Sequence, residues 1–136
     1  MLKILYKVSL FTLCTILTTS CGNSSEVPEN EILNDSIAIN YYMLRINGQY
    51  KDYIKAMQSC DGTPPAYKQQ METLLRHHHH TILKDKKGIS SVRVARKELY
   101  DSLRMANVFL EVTYNDSSRE EILFPLVRIG DIWRIR

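Results

Sequence analysis

The sequence predicts an α+β domain in which three N-terminal helices pack on one face of an antiparallel four-stranded sheet. Three observations carry that prediction. Apolar residues recur at helical spacing from Ile37 to Ile82, the spacing changes to alternation after Gly88, and turn-forming residues separate the alternating runs.

The helices follow from caps and periodicity. Asn34, Asp35 and Ser36 offer N-cap side chains to a first helix carrying Ile37, Tyr41 and Leu44. Asn47-Gly48 interrupts the pattern, which resumes from Gln49 to Gln58 with Tyr50, Tyr53, Ile54 and Met57. Asp61 to Pro65 reads as a loop, with Thr63 as the cap and Pro64 as the first residue of a third helix. Tyr67, Met71, Leu74, Leu75, His78 and Ile82 fall on one face of that helix, and the basic Lys84 to Lys87 suits its C-terminal dipole.

Strands are expected over 90–100, 105–114, 120–129 and 132–136. A loop at Asp116-Ser117-Ser118 would pair Val112 with Ile122, Leu110 with Phe124 and Val108 with Leu126. A two-residue turn at Gly130-Asp131 would pair Leu126 with Ile135 and Arg128 with Trp133. All of these side chains share one face, the expected core. Phe109, Leu123, Val127, Ile129 and Ile132 make the opposite face apolar too, which suggests a homodimer through it. Pro125, lacking an amide donor, is expected to mark a bulge.

Residues 1–20 have the layout of an export signal: Lys3 and Lys7, an apolar run from Val8 to Leu17, then the small residues Thr18, Thr19 and Ser20. The run is too short for a permanent membrane-spanning helix. Thr-Thr-Ser-Cys-Gly resembles a bacterial lipobox, with Thr18 where Leu is usual and Leu17 one place earlier. The resemblance implies cleavage between Ser20 and Cys21 and lipid on Cys21, hence a partner in the membrane and a place in the cell envelope. Gly22 does not resemble the inner-membrane retention signal, so the outer membrane is the expected location. Residues 21–33 are polar, contain Pro28 and read as a tether, leaving 34–136 as the single domain.

Of the chain's 18 Lys and Arg, losing Lys3 and Lys7 leaves 16 against 15 Asp and Glu. That near-neutral balance argues against a nucleic-acid partner. Lys84, Lys86, Lys87, Arg93, Arg96 and Lys97 form a local basic stretch, read as solvated, with anionic lipid headgroups as the alternative contact. With Cys14 in the leader and Cys21 acylated, Cys60 is the remaining thiol and no internal disulfide forms.

Three helical segments followed by such a sheet resemble the nuclear-transport-factor-two-like, or cystatin-like, superfamily. Within it the chain looks like small bacterial lipoproteins of a lumazine-binding-like family of unknown function. The resemblance spans about residues 34–136 and rests on Asn47-Gly48-Gln49-Tyr50 and on the closing hairpin Ile129 to Ile135. It implies a cone-shaped fold with a pocket between helices and sheet, and no established reaction.

Candidate pocket residues are Tyr41, Tyr42, His78, Tyr100 and Trp133, with Trp133 read first as a core anchor. Four histidines run from His77 to His80, of which only His77 and His80 share a helix face. They lack converging partners, so no metal or other cofactor is assigned. Glu111 and Glu121 point away from the core face, and no catalytic residue is assigned. The reading is a non-enzymatic binder of a small apolar ligand or an envelope protein. Its alternatives are an isomerase- or cyclase-like enzyme in the same pocket and a structural dimerisation module.

Overall fold

The computed structural model describes residues 33–136. The leader, with Ser20, and the tether from Cys21 to residue 32 lie outside the described residues. Three helices, α1 (Asp35–Ile46), α2 (Tyr50–Ala56) and α3 (Pro65–Lys86), precede four strands, β1 (Ile89–Tyr100), β2 (Met105–Tyr114), β3 (Arg119–Ile129) and β4 (Ile132–Ile135). The strands form one antiparallel meander in the order β1-β2-β3-β4, with the helices packed on one face, as predicted.

Asn34 caps α1, its side-chain oxygen accepting from the Ser36 amide at 3.0 Å. Ala38 and Tyr42, one turn apart, are the buried stripe of α1, and Tyr50, Tyr53 and Ile54 are that of α2. Gly48, at φ +76°, makes the reversal between the two helices. Leu33, expected to end the tether, is only 2% exposed and belongs to the core, so the packed domain begins one residue earlier than the sequence suggests.

The start of α3 differs from the prediction. Pro64 is extended (ψ 150°) because a residue preceding proline is driven out of the helical region, so Pro65 takes the first helical place. Thr63 Oγ1 donates instead to the Cys60 carbonyl at 2.8 Å. The apolar face of α3 is also narrower than expected. Leu75 and Ile82 are buried, whereas Tyr67, Leu74 and His78 are exposed. The histidine on the packed seam is His79, three residues before Ile82 and four after Leu75; its Nδ1 lies 2.8 Å from Tyr50 Oη.

Strand β2 sets the core. Ala106, Val108, Leu110, Val112 and Tyr114 alternate inward and are 0–3% exposed. The β3–β4 pairing is as predicted: Leu126 opposite Ile135 and Arg128 opposite Trp133. The β2–β3 pairing is displaced by two residues, with Leu110 opposite Ile122 and Val108 opposite Phe124. The cause is the turn. Tyr114 N donates to Ser118 O and Ser117 takes φ +70°, so the loop is Asn115-Asp116-Ser117, one residue earlier than expected. A two-residue displacement keeps every side chain on its intended face.

Pro125 produces no bulge. It pairs in register with Asn107, and its carbonyl accepts from Arg136 N, beside the end of β4. Its missing amide therefore faces Arg136, one residue past the end of β4, so the proline forgoes only a terminal ladder bond. The irregularities lie in β1, between Ile89 and Ser91 and between Val94 and Arg96. The second one reverses parity. Val92 and Val94 face inward opposite Val112 and Leu110, and beyond it Lys97 and Leu99 take the inward places opposite Val108 and Ala106. Arg96, Glu98 and Tyr100 are thereby turned to the outer face.

Trp133, 7% exposed, sits in the core, and Tyr41 Oη donates to its carbonyl at 2.8 Å, tying α1 to β4. Trp133→Ala is expected to destabilise the domain by about 3–5 kcal/mol, read from the urea midpoint. Near-wild-type stability would contradict the anchoring role.

Candidate functional site

Tyr41 and Trp133 meet, but the five candidate pocket residues do not converge on one pocket. Tyr42 and Trp133 are core, Tyr42 meeting Phe124 edge-on at 6.2 Å. Tyr41 spends its hydroxyl on the Trp133 backbone. His78 is exposed and Tyr100 lies on the outer face. The five outer-face residues do share one side of the sheet, as their parity predicts. There Leu123, Ile129 and Ile132 are exposed, Val127 is half-buried, and Phe109 lies 3.3 Å beneath the Arg96 guanidinium. Ion pairs Arg93–Glu111 (2.8 Å) and Arg96–Glu121 (3.2 Å) occupy the rest of that face. The basic stretch is likewise dispersed: Lys86 donates to Ser118 Oγ and Lys97 pairs with Asp35 at 2.6 Å. His77 and His80 are exposed, and among the described residues no three His, Cys, Asp or Glu side chains gather into a metal-binding group.

The structure instead assembles two groups of side chains that the sequence does not single out. The first lies on the inner face near the β2–β3 hairpin. Tyr114 donates its hydroxyl to the Glu120 carboxylate, and the Lys86 ammonium lies 5.3 Å from the Tyr114 ring centre. Burial, and then the bond to Glu120, raises the pKa of Tyr114 well above the usual phenol value. Burial raises Tyr42 and Tyr53 too, partly offset by the Arg45 charge. All three phenols therefore stay protonated at neutral pH. Strand parity alone places Glu120 with Ile122 and Phe124, which is the signal that would have found it.

The second group lines a cleft of about 530 Å³ between α2 and the start of α3. Ile54 and Cys60, both buried, form its floor, and Pro65 adds apolar wall. Lys51 and Lys55 project from α2 at a spacing of four, and Lys68 from α3. The two acids of the cleft are neutralised by arginines. Arg134 grips both Asp61 oxygens at 2.6 and 2.7 Å while also donating to the Lys55 and Met57 carbonyls. Arg76 holds Glu72 at 2.7 Å. Lys51, Lys55 and Lys68 make no ion pair among the described residues. The cleft therefore presents positive charge above an apolar floor, a lining suited to a small molecule with one anionic group and an apolar body.

This architecture is the NTF2-like fold. A solved protein of Campylobacter jejuni bearing the name "Putative NTF2-like transpeptidase" superposes on this chain with a TM-score of 0.61. The match covers 74% of this chain and 94% of that one at 12% identity, a likeness of fold alone. No family model and no curated protein matches the sequence.

The Asp61–Arg134 clamp should contribute to acid stability. The bond to Arg134, aided by the charges of Arg134 and Lys68, holds the Asp61 carboxyl below its usual range. A carboxylate whose folded pKa is depressed stabilises the fold above its unfolded value of about 4 and loses that contribution as pH falls through the folded value. Urea midpoints followed downward from neutral pH should fall less steeply in that acid range for Asp61→Asn than for the wild type. Parallel curves would show that the clamp contributes nothing to acid stability.

Proposed function

We propose that this protein is a lipid-anchored component of the cell envelope, held by acyl chains on Cys21, whose NTF2-like domain binds a small ligand without transforming it. What supports the binding half is the α2–α3 cleft, where three lysines without ion pairs among the described residues surround an apolar floor. The ligand class it favours is an amphiphilic anion, more specific than the apolar ligand expected from the sequence. The anchor rests on the Thr-Thr-Ser-Cys-Gly signal, which lies outside the described residues.

Tyr114 with Glu120 favours an isomerase-like enzyme as the second reading, since it places a carboxylate beside a phenol on the inner face. Two observations weigh against it. Glu120 is exposed to solvent rather than enclosed in a pocket, and its carboxylate already accepts the Tyr114 hydroxyl hydrogen bond. A structural module that dimerises through the outer sheet face is the remaining alternative.

Two measurements test the proposal. Intact mass of the protein from cells should show a chain beginning at Cys21 with added acyl mass; retention of residues 1–20 overturns the anchor. The anionic dye 1-anilinonaphthalene-8-sulfonate should bind the purified protein, and Lys55→Glu or Lys68→Glu should weaken it by about tenfold, roughly 1.4 kcal/mol. Unchanged affinity in both variants would rule out the cleft.

A further inference from the structure

The two ends of the sheet differ in chemistry. At one end lie the β2–β3 hairpin and the C-terminus of α3, joined by bonds from Asn115 N to Gly88 O and from Asp116 N to Lys86 O. Lys84, Lys86 and Lys87 belong to this end. The other end, about 30 Å away along β2 at ~3.3 Å per residue, carries the β1–β2 connection and the β3–β4 turn. These two are bonded to each other: Arg128 N donates to Arg104 O, and Arg104 Nη2 donates to Gly130 O.

Apolar exposure concentrates there. Among the described residues, the large hydrophobic side chains exposed on this tip are Leu99 (50%), Tyr100 (42%), Leu103 (63%), Ile129 (42%) and Ile132 (63%). The remaining four, Tyr67, Leu74, Leu83 and Leu123, are scattered over α3 and mid-β3. The tip's charges balance, with Arg104 and Arg128 set against Asp101 and Asp131. A contact made there is apolar in character rather than an attraction of basic residues to anionic headgroups.

The chain enters the domain beside this same end. Lys97, three residues before Tyr100 on β1, bonds through Nζ to the Leu33 carbonyl at 3.1 Å and to Asp35 at 2.6 Å. Helix α1 then runs from there toward the hairpin end, where its Arg45 charge acts on Tyr114. Only the residues from Gly22 to Ile32 separate Leu33 from Cys21. Those eleven residues span at most about 40 Å even if fully extended. An anchor on Cys21 is therefore joined to the domain beside the end that carries the apolar tip.

We propose that this tip, Leu99, Tyr100, Leu103, Ile129 and Ile132, inserts into the interfacial layer of the membrane that holds the protein. The domain is thereby oriented with β2 along the membrane normal and the hairpin end outermost. The proposal rests on the anchored reading above. It names a second contact with the bilayer, made by the folded domain itself.

The test uses the acylated protein reconstituted in phosphatidylcholine vesicles that carry nitroxide on the acyl chains. Bimane is attached to Leu103→Cys, Ile132→Cys and, at the far end, Lys84→Cys; Cys60 is buried and Cys21 is blocked by its lipid. The expected result is several-fold stronger nitroxide quenching at positions 103 and 132 than at 84, with the reverse order for aqueous iodide. Leu103→Asp, a change at an exposed site, should lower nitroxide quenching at position 132. Equal quenching at the three positions overturns the proposal. So does a tip shielded from both quenchers, which would mean that a second copy covers it. Intact mass separates the failures: an unacylated Cys21 removes the anchored reading and this proposal together, whereas acylated protein with an unquenched tip removes the proposal alone.

Discussion

The alternation of β2 is the constraint on which the rest of the domain depends. Its inward side chains from Ala106 to Tyr114 are sealed from water, and β2 has a strand on each side, so neither neighbour can change faces without exposing its own apolar set. That requirement explains each irregularity. The β2–β3 loop forms one residue early and the pairing moves by two, which parity permits. The break before Arg96 moves Lys97 and Leu99 inward, where the Lys97 ammonium reaches Leu33 and Asp35 at the rim. Pro125 keeps its place because it lies opposite Arg136 at the end of β4, where its missing amide forgoes only a terminal ladder bond.

The position of the candidate ligand cleft follows from the same packing. Tyr42, Tyr53, Phe124 and Trp133 occupy the space where the helices meet the sheet, all of them buried. The cleft opens instead where α2 ends and the chain turns through Cys60 to Pro65. It is held open by a strand residue, because Arg134 of β4 fixes Asp61 and two carbonyls at the end of α2. Among the described residues the lysines are left free of ion pairs because arginines outside the cleft have taken its acids. The positive charge of the cleft thus depends on contacts made outside it.

Much of the fold is legible in the sequence. The strand ranges, the β3–β4 pairing and the order of elements follow from period-two patterning and from Gly130-Asp131, all local signals. The β2–β3 turn is ambiguous because Asn115-Asp116-Ser117-Ser118 offers two loops with nearly equivalent turn chemistry. The choice depends on Ser117 adopting a left-handed conformation and on Asn115 bonding the end of α3, a contact distant in sequence. The site is much less legible. His78 fits a core position only if α3 is covered along a broad face, yet the helix is covered only along the seam of Leu75, His79 and Ile82. Unbroken alternation would aim Tyr100 inward, and the break in β1 that turns it outward has no sequence signature of its own. The cleft lysines read as ordinary surface charge until Asp61 and Glu72 are seen to be claimed by arginines.

The break in β1 does more than reverse parity. As an outer strand of twelve residues, β1 offers a long row of unpaired backbone groups, the kind of border along which copies of a protein can zip into polymers. The disturbed stretch between Val94 and Arg96 interrupts that row. Two such borders brought side by side would meet mismatched hydrogen-bond spacing. The irregularity that carries the inward face across β1 thus also guards the free margin of the sheet against self-association.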